Sequence, residues 1–369
     1  TTIFRHSSLR LFPPMTMRER ILAVVRGDPH DRVPFVQYDG LAARNEVVWD
    51  VVGRANMGVI RWSSVYRIEA PDCAIVREPL DINGRVGERA RLITPRGSLV
   101  QERVFEPAYQ SGATRKHYVC ESVDYEILLS YLRNVVVVDD ATPFLLDRDA
   151  LGDDGVPMVA VQRTPYQQMW IQWVSLEQLA VDLEDDLPVL RECLEVLGNI
   201  ERRTFESVYR AMCEHGVPFV DFPDNITAPA IGERYFRRYC VPFYDELAGM
   251  LRDDYVPVFV HMDGDLKPLW DAIGKSGVRG IDSLSPPPDN DTSCADAVTR
   301  WPEMRLFVNF PSSVHLWEPE QIYCHAMAML RQAGHTGRMQ IQISENVPPC
   351  VWPRSFPAIV EAVRDFGKP

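Results

Sequence analysis

His261, Asp263 and Glu345 are the residues whose types and spacing could do chemistry together. His261 and Asp263 close the apolar run Tyr255-Val-Pro-Val-Phe-Val260, and Glu345 closes a second run, Met339-Gln-Ile-Gln-Ile-Ser344, 82 residues after Asp263 (345 − 263). Side chains alternate along a strand, so a strand ending in His-x-Asp delivers both groups to one face. Such a pair can hold a metal or a proton. The carboxylate of Glu345 joins it if both strands belong to one barrel, giving a metal set of His261, Asp263 and Glu345. Cys350 is the alternative third ligand, but Pro348 and Pro349 turn the chain away from the strand end before it is reached.

Other polar groups fall at similar places. Gln162 and Arg163, Asp221 and Asp224, Asp282, and Asn309 each follow a short apolar run. Arg163, Asp221, Asp224 and Asn309 are candidates for catalysis, and Gln162 and Asp282 for substrate binding. Tyr166, Trp170 and Phe222, with Trp173 and Trp317, stand near these ends and could wall an apolar or aromatic substrate. Each has a bland counterpart: Asp221-Phe-Pro-Asp-Asn225 is good turn chemistry, and aromatics there are commonly core. His215 near a helix C-terminus, and His325 and His335, read as surface groups, whereas His315 could point toward the barrel mouth.

The elements that must position these residues follow from periodicity. Thr16 with Glu19 forms a capping box ahead of a helix through Arg26, which Gly27-Asp-Pro29 ends. Arg32–Tyr38 reads as a first strand. From Cys73 to Glu106 short alternating runs broken by Asn83-Gly84 and Pro95-Arg-Gly97 predict an antiparallel meander, placed as an insertion over 73–118. Beyond residue 150, strands at 156–162, 217–221, 255–260, 277–282, 306–309 and 339–343 alternate with helices, among them 187–212, 233–251 and 356–366. That rhythm predicts an α/β fold, a parallel sheet with right-handed crossovers closed into a (β/α)8 TIM barrel over 17–369. The strand C-termini of such a barrel form its active face.

Composition sets outer limits. The 369 residues are 46% hydrophobic and 25% charged, as in globular proteins. The net charge of −13 comes with no basic run, which excludes nucleic acid and anionic membrane as partners. Eight scattered cysteines without a C-x-x-C pair fit reduced thiols and a cytoplasmic setting. Residues 1–16 read as a leader, and no run of about 18 apolar residues predicts a membrane span.

The chain resembles the uroporphyrinogen decarboxylase superfamily, which also holds corrinoid-linked methyltransferases. The resemblance is carried by Met17-Arg-Glu-Arg-Ile-Leu-Ala-Val-Val-Arg-Gly-Asp-Pro-His-Asp-Arg-Val-Pro34, Arg234-Tyr-Phe-Arg-Arg-Tyr-Cys-Val-Pro-Phe243, His261-Met-Asp-Gly264, Ser285-Pro-Pro-Pro288, Asn309-Phe-Pro311 and Glu345-Asn-Val-Pro-Pro349. It implies a barrel with a deep site at the strand C-termini. Two departures limit what it implies. The Arg-Gln-Ala-Gly-Arg-Tyr-like stretch that serves porphyrinogen decarboxylation is replaced by Val36-Gln-Tyr-Asp-Gly-Leu-Ala-Ala-Arg44. The His-x-Cys and later Cys of the family's zinc methyltransferases are replaced, by position, by Asp263 and Glu345.

One imidazole and two carboxylates suit zinc, with Fe(II) and Mn(II) as alternatives. The expectation is therefore a metal-dependent methyltransferase acting on a small methylated substrate, with Arg163 or Asp221 orienting it. The chain has no Asp-x-His-x-x-Gly corrinoid motif, so a corrinoid acceptor is a separate protein. A second copy of the chain, as a homodimer, is the other partner considered. The alternatives are a lyase that decarboxylates a small aromatic or heterocyclic acid, with Arg163 on the carboxylate and Asp221 or Asp224 on the protonated intermediate, and a non-catalytic ligand-binding barrel.

Overall fold

Eight short parallel strands close on one another in a computed structural model that describes residues 14–106, 111–252 and 255–367. The leader reading falls almost wholly on residues outside these. Around the barrel the strands are Phe35–Tyr38, Gly58–Ser63, Gly155–Ala160, Val220–Phe222, Val258–Val260, Gly280–Leu284, Arg305–Asn309 and Met339–Ile343, the last pairing with the first. This is a (β/α)8 TIM barrel. The strand Gly58–Ser63 was not anticipated from sequence, because its run is interrupted by Arg61 and bounded by no turn signal. Antiparallel sheets occupy the N-terminal part: a four-stranded meander from Ala74 to Lys116, and a two-stranded ribbon of Tyr66–Glu69 with Val136–Asp139.

Alternation along the strands divides them between two apolar clusters. Phe219, Phe259 and Phe307 point inward and pack together, with ring centroids 5.1 Å (219 to 259) and 4.6 Å (259 to 307) apart. Gly280 makes this layer possible, since a Cβ there would lie 2.2 Å from the Phe259 ring. Beneath it, Met17, Ile21, Val24 and Val25 join the same cluster from helix Met17–Arg26, which plugs the barrel. Thr16 and Glu19 cap that helix reciprocally as anticipated, and Arg305 ties its end down by donating to the carbonyls of Val25 and Arg26.

The outward residues meet the helices. Phe222 packs on Phe205 of helix Pro188–His215 and on Tyr244 of helix Val241–Met250. The expected helix 233–251 begins after a kink at Gly232 and runs to Met250, widened by a π-type turn at Phe236–Cys240 ahead of Val241–Met250. Pro242 has no N–H to donate, and the turn ahead of it widens accordingly. Among the described residues no helix is long and apolar enough to cross a membrane.

Candidate functional site

Two residues above the phenylalanine layer, the same inward positions carry polar groups: Asp221, His261, Asp282, Asn309 and Gln342, with Tyr38 from the first strand. Period-two alternation places them on one ring at the C-terminal end of the barrel. His261 is the hinge of this ring. Its Nε2 stands 3.3 Å from Asp263 Oδ2, its Nδ1 3.7 Å from Asp282 Oδ2, and its side chain is only 14% exposed. The longer contact acts through charge rather than as a hydrogen bond. Burial alone would depress the imidazole pKa, but the two aspartates raise it well above its ordinary value, so the ring is an imidazolium. Burial likewise lifts Asp263, and the hydrogen bond from His261 outweighs it, leaving that carboxyl below its usual range.

Asp282 is fully buried and fastened from two sides. Tyr38 Oη donates to its Oδ2 at 2.5 Å and Gln342 Nε2 to its Oδ1 at 2.6 Å, while Gln340 Nε2 donates onward to Gln342 Oε1 at 2.7 Å. Burial and the charge of Asp282 hold the Tyr38 hydroxyl far above its ordinary pKa, so it stays a donor.

Asp221 is the opposite case. It has no exposed surface, and neither of its oxygens has a hydrogen-bond partner in the protein. Burial, with Asp282 nearby, raises its pKa well above the normal carboxyl range, against the pull of His261 and Arg163. A carboxyl whose pKa is raised by burial therefore stands in the ring near His261, whose pKa is raised by its aspartates. Arg163 donates Nη2 to Asn225 Oδ1 at 3.1 Å, while its buried Nε has no partner. Desolvation lowers its pKa somewhat, opposed by Asp224, Asp221 and Asp263.

The remaining expected residues separate into groups. Asp224 accepts from Thr164 N and Oγ1, both at 2.9 Å, and from Tyr244 Oη at 2.6 Å. Burial pushes it up to about 6, and its bonds tie two loops to a helix. Asn309 takes bonds from Ser344 N and Oγ. Gln162 donates to Tyr66 Oη at 2.9 Å. Tyr166 is buried against Tyr239 and Tyr235, and Phe222 faces the helix layer, so neither looks into the barrel mouth. Trp170 lines a neighbouring recess. His315 is in the helix layer too: its Nδ1 meets Ser355 Oγ at 2.8 Å, and burial drops its pKa to about 3. His325 packs edge-on to Phe310 and Trp317. Cys350 is a free, exposed thiol.

His261, Asp263 and Glu345 line one cleft of about 670 Å³. Glu345 is engaged elsewhere, accepting from Ser312 Oγ at 2.6 Å and Ser285 Oγ at 3.2 Å. Among the described residues no three His, Cys, Asp or Glu side chains stand close enough to hold a metal ion. The donor types suit a metal, but as the side chains stand they do not form a ligand sphere. Tyr38, Gln342, Gln340 and the serines around Glu345 were missed from sequence. Alternation places Tyr38 and Gln342 on the inward face, and that was the signal available.

Residues 191–366 match the family model described as uroporphyrinogen decarboxylase (URO-D). No curated protein matches the chain. Among solved structures, a methyltransferase from Methanosarcina mazei is similar over 95% of this chain and 99% of its own, with a TM-score of 0.58 at 14% identity. At that identity the likeness shows the fold. A GH18 chitinase, ChiB, from the chitin utilization locus of Flavobacterium johnsoniae aligns over 91% of this chain and 94% of its own, with a TM-score of 0.36 at 12% identity, and carries no argument.

Proposed function

We propose, for a chain whose residues 191–366 match the uroporphyrinogen decarboxylase family model, that the barrel mouth removes a carboxyl group from a small planar acid. The observation that carries this reading is Asp221, a buried carboxyl with both oxygens unpartnered, held next to a positively charged His261.

Arg163 takes the substrate carboxylate, using its buried Nε, which has no protein partner. Asp221, its pKa raised by burial, gives its proton to the carbon that bears the carboxylate. The C–C bond then breaks, its electron pair returns to the substrate, and carbon dioxide departs. The aspartate left behind is stabilised by His261 until solvent returns a proton. Asp282, fastened by Tyr38 and Gln342, holds the imidazolium in place.

The test is carbon dioxide release from a panel of aromatic and heterocyclic carboxylic acids. Release that disappears in Asp221→Asn and Arg163→Ala supports the reading; release untouched by both, or none across the panel, sinks it.

Methyl-group transfer is the second reading, favoured by the fact that His261, Asp263 and Glu345 share one cleft. Its acceptor would be a separate corrinoid protein, and its metal zinc, Fe(II) or Mn(II). Metal content by mass spectrometry separates the two. Near-stoichiometric metal that is lost in both His261→Ala and Glu345→Ala moves the assignment to methyl transfer.

A further inference from the structure

We infer that a second recess, walled partly by the N-terminal antiparallel sheet region, is the subsite that holds the body of a flat monocarboxylate while its carboxylate sits on Arg163. This inference rests on the decarboxylase reading above and adds the substrate class and the residues that select it.

The recess has a volume of about 450 Å³. Thr114, in the last strand of the meander, and His117 just after it form one wall. Arg163, Trp170 and Ile171 form another, and Leu176 and Glu177 a third. Asn225 lines both this recess and the catalytic cleft, so the two meet there. Arg163 stands at the junction, its Nη2 bonded to Asn225 and its buried Nε without a protein partner. A carboxylate at that guanidinium is within the charge field that Arg163 shares with Asp221, and whatever it is attached to has the recess to occupy.

The aromatic wall is built rather than incidental. Trp170 lies in a wide π-type turn, Met169–Trp173, a distortion frequent at functional sites. Its indole N–H donates to Gln167 Oε1 at 2.9 Å, and the same oxygen accepts from Asn225 N at 3.4 Å. Gln167 is fully buried. One glutamine thus locks the tryptophan ring and the junction backbone in a single geometry. A preset indole face with Ile171 and Leu176 beside it favours a planar apolar body over a flexible chain.

Charge fixes the orientation and limits the number of anionic groups. The cation lies at the junction, and Glu177 lies on the recess wall. A second carboxylate at the far end of the ligand would meet Glu177. The half-buried His117 has its pKa lowered by burial, against the pull of Glu177, so it is neutral at pH 7 and offers hydrogen bonding without compensating charge. The recess therefore accepts a neutral polar substituent and rejects a second acid.

The test is binding, independent of turnover: calorimetric titration of the full chain with benzoate, 4-hydroxybenzoate and the dianion terephthalate. Benzoate and 4-hydroxybenzoate are expected to bind, with terephthalate about tenfold or more weaker. Trp170→Leu should weaken benzoate about tenfold, with Trp170→Phe recovering most of the loss. Glu177→Gln should raise terephthalate affinity toward that of benzoate, an effect that a merely structural role of Glu177 would not produce. The inference is overturned if none of the probes binds, if benzoate binding ignores Trp170→Leu, or if Glu177→Gln leaves the discrimination unchanged. Failure of carbon dioxide release alongside these binding effects would remove the decarboxylase reading and leave the recess assigned.

Discussion

Tyr38 Oη donates at 2.5 Å to Asp282 Oδ2, the same oxygen that faces His261 Nδ1 at 3.7 Å. The tyrosine therefore decides where the negative charge beside the imidazolium is held, although it touches neither His261 nor the cleft wall formed by Glu345. Tyr38→Phe leaves the ring in place and removes the donor. A hydrogen bond to a buried charged group contributes about 2 kcal/mol, and urea unfolding of Tyr38→Phe against wild type should show a loss of that order. An unchanged unfolding midpoint would mean that water replaces the hydroxyl.

The His261–Asp263 pair sets a pH window. The folded pKa of His261 is raised above the ordinary 6.5, so its contribution is complete below 6.5 and is lost as pH rises through the folded value. The folded pKa of Asp263 is depressed, so its contribution is present above 3.8 and is lost as pH falls through its folded value. The pair's contribution should be greatest between 3.8 and 6.5 and decline above that toward the folded pKa of His261. Unfolding free energy measured from pH 5 to 10 should decline on the alkaline side, and His261→Gln should flatten that decline.

Asp221→Asn separates stability from turnover. The folded pKa of Asp221 is raised far above 3.8, so the wild type loses stability as pH climbs from 3.8 toward that value, because the unfolded chain releases its proton first. The amide has no proton to release. The variant should match or exceed wild-type stability at pH 8 while carbon dioxide release falls by about 10²–10⁴-fold. Thermal unfolding and product assay on one preparation check both halves, and a destabilised variant would mean that Asp221 is charged in the fold.

Gly280→Ala tests the layer beneath the site. Its Cβ would lie 2.2 Å from the Phe259 ring, inside a layer already filled by Phe219 and Phe307. Overpacking of this kind costs about 1–3 kcal/mol. Denaturant unfolding should show it, and His261, two residues beyond Phe259, should report the strain as a shifted imidazole resonance.

Much of this arrangement was legible in the residues. His261-Met-Asp263 read as a strand end, and strand and helix alternated after residue 150 as the barrel requires, because period two and period 3.6 are local properties of the chain. The partners were not legible. Tyr38 and Asp282 are 244 residues apart, and only closure of the first strand onto the last brings them together. Phe222 shows the limit from the other side. It follows Asp221 directly, yet alternation turns it to the helices while Asp221 turns inward, so proximity in sequence to a site residue placed it wrongly in the site. Glu345 lies on the expected cleft, but its hydrogen bonds go to Ser312 and Ser285, which no spacing rule would indicate.

The N-terminal helix that plugs the barrel has a kinetic consequence. With Met17, Ile21, Val24 and Val25 packed beneath the three phenylalanines, the interior has no rear exit. On the decarboxylase reading, substrate, carbon dioxide and the replacement proton would all use the mouth at the strand C-termini. On that reading traffic would be sequential: carbon dioxide would clear the mouth before the next acid seats on Arg163, and a slow-leaving product would throttle turnover even when the chemical step is fast.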